Sequence, residues 1–119
     1  MNHKQFTYLG DAIDLYLKDG AEHLRPSTVG KQKARLHAFM NWLGDVDIAS
    51  ITRAQAGQYV REVLRNGQRH ITTVKQTIGT LSSFFNWTSS QGIAEYNPFD
   101  GVARSIRESK RGTSKSTQH

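Results

Sequence analysis

The chain has 119 residues, no cysteine and a net charge of +6 with histidines neutral. That length holds one domain with one core, and the lack of cysteine excludes disulfides and thiolate chemistry, as fits a cytosolic protein. No apolar run approaches the ~20 residues that span a bilayer, and the start, MNHKQFTYLGDAID, has no signal-peptide core.

Phe6 leads into Leu9, Ile13, Tyr16 and Leu17 at helical spacing, with Asp11, Asp14 and Lys18 on the other side. This pattern predicts a first amphipathic helix over 7–19, ended by Gly20. Arg25-Pro26-Ser27-Thr28 is a start signal with Ser27 as N-cap. Val29, Leu36, Phe39, Met40 and Leu43 then share a narrow sector, giving a second helix over 28–43 that Gly44 stops. Gln32 is a polar flaw within that sector.

Residues 45–51 form a connector whose Ile48 and Ile51 are expected to plug the core. Thr52-Arg53-Ala54-Gln55 reads as a capping box for a third helix, with Ala56, Val60, Val63 and Leu64 buried and Asn66-Gly67 at its end. Thr73-Val74-Lys75-Gln76 forms a second capping box, with Thr72 as the alternative cap. Val74, Ile78, Leu81, Phe85 and Thr88 line the inner face of that fourth helix. Gly92 ends it, Ile93 tucks back, and Asn97-Pro98 forbids continuation. The fold class is therefore all-α: a compact bundle of four main helices over 1–103. A basic tail over 104–119 has almost nothing to bury and is expected to be flexible in isolation.

Catalytic and metal-binding patterns are missing. His3, His23, His37, His70 and His119 do not pair at ligand spacing, and no cysteine completes a set. The glycines lie scattered and do not form a phosphate loop, and no serine sits in an elbow motif. Asp11 and Asp14 read as a solvated helix face, not as a carboxylate pair. No cofactor is implied.

Charge is segregated. Residues 1–24 carry net −2, residues 25–75 net +6, residues 76–103 net −2 and residues 104–119 net +4. Two positive blocks suit a polyanion, most often nucleic acid, and equally suit a solvated basic surface. On the second helix, Thr28, Lys31 and Arg35 cluster opposite the core beside Ala34 and Ala38, with Lys33 on the flank. The fourth helix is entered through the basic and hydroxyl run from Arg69. It presents Thr72, Gln76, Gly79, Thr80, Ser83 and Trp87 outward, with Lys75 on the flank. A stripe of Thr, Gln, Gly and Ser sacrifices helix propensity. Groove contact accounts for it, since helix N-termini and hydroxyls bind phosphates and Gln reads adenine edges. Packing against another helix or domain accounts for it too, above all for Trp42, Ser83 and Trp87.

An ordered set of short signatures resembles the N-terminal, SAM-like core-binding domain of phage-type integrases, in the tyrosine recombinase family. The set begins with Leu9, Ile13, Tyr16 and Leu17, then Ser27-Thr28 before Leu36, Phe39 and Leu43, then Ile51-Thr52 and Asn66-Gly67. It continues with Thr73-Val74, Leu81, Phe84-Phe85-Asn86-Trp87, Gly92-Ile93 and Asn97-Pro98-Phe99. It covers about residues 5–103. The resemblance implies a helical bundle that clamps one face of a recombination site, with the starts of the second and fourth helices approaching double-stranded DNA. Carried onto this chain, those starts are Thr28, Lys31 and Arg35, and Thr72, Thr73, Lys75 and Gln76. Arg104, Arg107, Lys110 and Arg111 would belong to a basic linker that follows the DNA backbone.

The family's catalytic domain is expected after this tail. Tyr8, Tyr16, Tyr59 and Tyr96 have no Arg/His constellation to activate them, so this chain is expected to be a non-catalytic fragment of a longer recombinase, or a truncated gene product, unable to cut DNA alone. The expected setting is the bacterial cytoplasm or nucleoid, without membrane. The isolated domain is expected to be monomeric and to meet further recombinase protomers on DNA. Two other readings stand beside this one: a protein-binding adaptor anchored by Trp42 and Trp87, and a small helix-turn-helix regulator. The second is disfavoured because the link from Asn66 to Thr72 exceeds the tight turn that motif needs.

Overall fold

The computed structural model describes residues 7–65 and 71–102. Among them run α1 (Leu9–Ala21), α2 (Pro26–Leu43), a 3₁₀ turn at Ile48–Ser50, α3 (Arg53–Arg65) and α4 (Ile71–Ser90). The all-α expectation holds. Arg69 and the four linker cations, with Asn66-Gly67, lie outside the described residues.

The first two helices form a hairpin. Its open end is sealed where the α1 entrance meets the connector after α2. Leu9 N–H donates to the Val46 carbonyl at 2.8 Å, and Gly10 N–H to Asp45 Oδ1 at 2.8 Å. Two of the four N–H groups that a helix start leaves unpaired are thereby satisfied. An antiparallel bridge between Tyr8 and Asp47 completes the seal. At the other end, α1 continues through Gly20 instead of stopping there. Gly20 is buried, and an added Cβ would stand 3.3 Å from Leu24 Cδ1, so this glycine admits Leu24 and does not break the helix.

The start of α2 also shifts. Proline forces Arg25 into the extended region (ψ 148°), so Arg25 becomes the N-cap, Pro26 the first helical residue, and Ser27 lies inside the first turn. Gly44, at φ +109°, supplies the conformation that turns the chain out of α2. The Thr52–Gln55 capping box forms as expected: Gln55 N–H donates to Thr52 Oγ1 at 3.1 Å, and Thr52 N–H to Gln55 Oε1 at 3.0 Å. The fourth helix starts earlier than expected, at Ile71, which puts Thr72 and Thr73 within its first turn. Gln76 therefore does not close a box with Thr73 and points its Oε1 at Arg35 instead.

The core is a ring cluster. Phe39 stands at its centre, with Tyr59, Phe85 and Phe99 at centroid distances of 5.0, 6.1 and 5.5 Å. Leu9, Ile13, Leu36, Ile48, Ile51, Val74, Ile78 and Leu81 fill the space around these rings. The connector residues Ile48 and Ile51 are buried, as their apolar character predicted. On α3, Tyr59 takes the inner place expected for Leu64, which is 41% exposed. After α4, Gly92 adopts φ +77° and Ile93 N–H returns to the Thr88 carbonyl at 2.9 Å. The chain then doubles back along α4 and inserts Phe99.

The α4 helix meets α2 at Arg35 and Phe39 and meets α1 at Tyr16, whose ring lies 5.4 Å from Phe84 and 5.5 Å from Trp87. Both meeting points fall near the middle of the hairpin helices. The α4 helix therefore passes across the hairpin, engaging α2 through Gln76, Thr80 and Phe85 and α1 through Phe84 and Trp87.

Candidate nucleic-acid interface

The site residues follow from that crossing. On α2, Thr28, Lys31 and Arg35 recur at i, i+3 and i+7, so they share one face. On α4, Thr72, Gln76 and Thr80 recur at i, i+4 and i+8 and share another. The two stripes converge where the helices touch. Arg35 Nη1 donates to Thr80 Oγ1 at 3.1 Å, and Arg35 Nη2 reaches Gln76 Oε1 at 3.4 Å. The Thr80 hydroxyl donates in turn to the Gln76 carbonyl at 3.1 Å.

Beyond the crossing the stripes diverge into solvent. Thr28, Lys31 and Lys33 are exposed on α2, and Thr72, Lys75 and Gln76 are exposed on α4. Thr73 and Arg35 are half-buried. Thr80 is only 7% exposed, because α2 covers it. It thus lies beneath the outward stripe in which the helical wheel places it, and its reach is to Arg35. With Oε1 engaged by Arg35, Gln76 has only its amide N–H₂ uncommitted, whereas a bidentate adenine contact uses both ends of that group.

The surface has the electrostatics of an anion site. Neither the first turn of α2 nor that of α4 contains an acidic residue, so nothing there cancels the positive ends of the helix dipoles. No carboxylate among the described residues lies within ion-pair distance of Lys31, Lys33, Arg35 or Lys75. The recorded pair, Arg65 to Glu62 at 3.8 Å, is solvent-exposed. Such pairs contribute little.

The wheel left out three exposed cations that flank these helices in sequence. Arg25 precedes α2 in extended backbone, and Arg61 and Arg65 are exposed in the last turns of α3, which ends at Arg65. The high density of cations between residues 25 and 75 was the signal for them. Arg53 falls in the same charge block yet serves the fold: its guanidinium donates to the Asp100 carbonyl at 2.9 Å and stacks over Tyr96 at 5.3 Å.

The tryptophans are held by the core's own rings. Trp87 is half-buried against Tyr16. Trp42 is 39% exposed and packs on Phe39 and Tyr59, in a cleft of about 420 Å³ whose lining also includes Ala34, Arg35, Ala38, Glu62 and Thr77, so one carboxylate borders the Arg35 end of the surface.

Fold and site together define a small helical module in which two helices converge on a shared basic, hydroxyl-rich surface. The family model described as phage integrase, N-terminal SAM-like domain matches residues 13–92, and the chain belongs to that family. No curated protein and no solved structure gave a match. Among the described residues, no helix is long and apolar enough to cross a membrane.

Proposed function

We propose that this chain binds double-stranded DNA as the core-binding half of a site-specific tyrosine recombinase, gripping the backbone while strand exchange is carried out elsewhere. The observation that carries the reading is the convergence of the α2 and α4 stripes at Arg35, which joins Thr28, Lys31 and Lys33 to Thr72, Thr73, Lys75 and Gln76 in one surface whose cations make no ion pair among the described residues. Phosphates are held by Lys31, Lys33, Arg35 and Lys75 with the helix-start hydroxyls. Arg104, Arg107, Lys110 and Arg111 extend the track along the backbone. The module supplies grip and register, and no side chain in it acts as nucleophile or general acid. Family membership supports the recombinase setting and further protomers on DNA as partners, with the bacterial cytoplasm or nucleoid as the place of action.

Counterion release gives the test. With about five of these eight cations on phosphates at once, log K falls with log salt at a slope near −4.5. Titration of labelled duplex at several salt concentrations measures it, and a flat dependence refutes the proposal. Alanine at both Lys31 and Lys33 is expected to weaken binding to every sequence alike and to flatten the slope by about 1.8.

A further inference from the structure

The Thr80 hydroxyl sits where the two proposed DNA-facing helices touch, and it is used in both directions. As an acceptor it takes Arg35 Nη1–H at 3.1 Å, and as a donor it binds the Gln76 carbonyl of its own helix at 3.1 Å. The backbone bond fixes the hydroxyl's orientation, which leaves its lone pairs toward α2. A hydroxyl is the smallest group with both capacities, and serine shares the chemistry while valine keeps the shape without it. At 7% exposure, Thr80 is too covered to meet a macromolecule itself.

Arg35 is the opposite case. It is half-buried, and although Glu62 lines the same cleft, no carboxylate among the described residues stands at ion-pair distance from it. A guanidinium has five N–H donors in a rigid fork. Two of them are occupied by Thr80 and Gln76. A long, flexible side chain loses rotamer entropy when it must be immobilised on binding. Here two side-chain bonds already hold the guanidinium in the free protein.

We propose that Thr80 is the positioning residue for Arg35: its hydroxyl locks the guanidinium at the α2–α4 crossing, so that the remaining N–H edge meets a single DNA phosphate without reordering. The inference rests on the DNA-binding reading above and assigns to one buried threonine the preorganisation of that contact. Lys31 and Lys33, exposed and unpinned, supply charge without such geometry.

A double-mutant cycle on labelled mixed-sequence duplex tests it, using the whole chain and several salt concentrations. Thr80→Val is expected to weaken binding roughly tenfold, as for loss of a hydrogen bond to a charged group. Arg35→Ala is expected to weaken it at least as much and to flatten the salt slope by about 0.9. Thr80→Val made on the Arg35→Ala background should then change affinity by less than about twofold, and Thr80→Ser should restore wild-type binding. A threonine that merely fills space would lower affinity equally on both backgrounds, and that additivity overturns the inference. So does an Arg35→Ala chain that binds like wild type while the Lys31 and Lys33 variants weaken, an outcome that leaves the DNA reading standing. If the wild-type chain shows no salt-dependent binding, both fall together. Thermal unfolding of each variant confirms that a folded chain was titrated, and a Thr80→Val chain that fails to fold refutes a role confined to Arg35.

Discussion

Single side chains in this domain do the closing of contacts that a short chain has few other means to secure. Asn97, 7% exposed, donates from Nδ2 to the Ser82 carbonyl, Ser82 Oγ and Asn86 Oδ1 at 3.0–3.1 Å, and accepts the Phe99 N–H on Oδ1 at 2.8 Å. It fastens the returning segment to α4 and sets Phe99 into the rings. Asn97→Ala strands a buried N–H and several acceptors, so it should cost about 3 kcal/mol. Denaturant titration reads this as a lower midpoint at unchanged slope. A loss below about 1 kcal/mol, the worth of one ordinary hydrogen bond, would show that Phe99 seats itself. Tyr16 ties stability to pH. Burial raises its hydroxyl above the usual 10.0, and the charge of Asp19 adds to the rise. Below pH 10 the group is neutral in both folded and unfolded chains. Above it the unfolded chain gives up the proton first, so stability is lost as pH climbs through the folded value. Tyr16→Phe should show a shallower alkaline decline in melting temperature than wild type. Parallel declines would place the titrating group elsewhere.

At the scale of the helix, the boundaries show what a sequence reveals and what it hides. Glycine was the misleading signal in α1: Gly20 suits a helix stop, yet the chain runs one residue further and the Leu24 N–H bonds back to the Gly20 carbonyl at 2.8 Å, which lays the Leu24 side chain against the glycine. Pro26 was the dependable one, because it dictates the conformation of Arg25 through local sterics alone. The Thr52–Gln55 box was readable for the same reason, being a wholly local pair of bonds. Gln76 had an equally good local option and lost it to Arg35, 41 residues away. The outward stripe of α4 was recognisable from composition, but only the crossing of α2 decides that Thr80 is covered while Gln76 is open. Gly79 lies beside them, exposed in mid-helix, and an added Cβ would meet nothing within 4 Å. Gly79→Ala should therefore stabilise the domain by about 0.5–1 kcal/mol, a rise of a few degrees in melting temperature. If the same methyl weakens duplex binding, the glycine marks a surface kept low for DNA. Unchanged affinity would remove this stretch of α4 from the interface.

For the molecule as a whole, the question is where folding ends and reach begins. The last described residues still belong to the core: Phe99 is buried, Val102 packs against the cluster, and its N–H donates to the Phe99 carbonyl at 3.0 Å. Beyond them the sequence offers Arg104, Arg107, Lys110, Arg111 and Lys115 and almost no apolar surface. Stability scales with buried area and nonspecific DNA affinity with phosphates neutralised, so the two properties should separate at this point. A chain ended after Val102 is expected to melt within a degree or two of the full chain, as it retains every residue of the ring cluster. Its salt slope on duplex should flatten by about 0.9 for each tail cation that meets a phosphate, so by up to about 3.6 if all four proposed residues do. A large fall in melting temperature would move the domain boundary into the tail. An unchanged slope would confine the grip to the α2–α4 crossing, and the basic tail would then have to act on something other than the DNA held there.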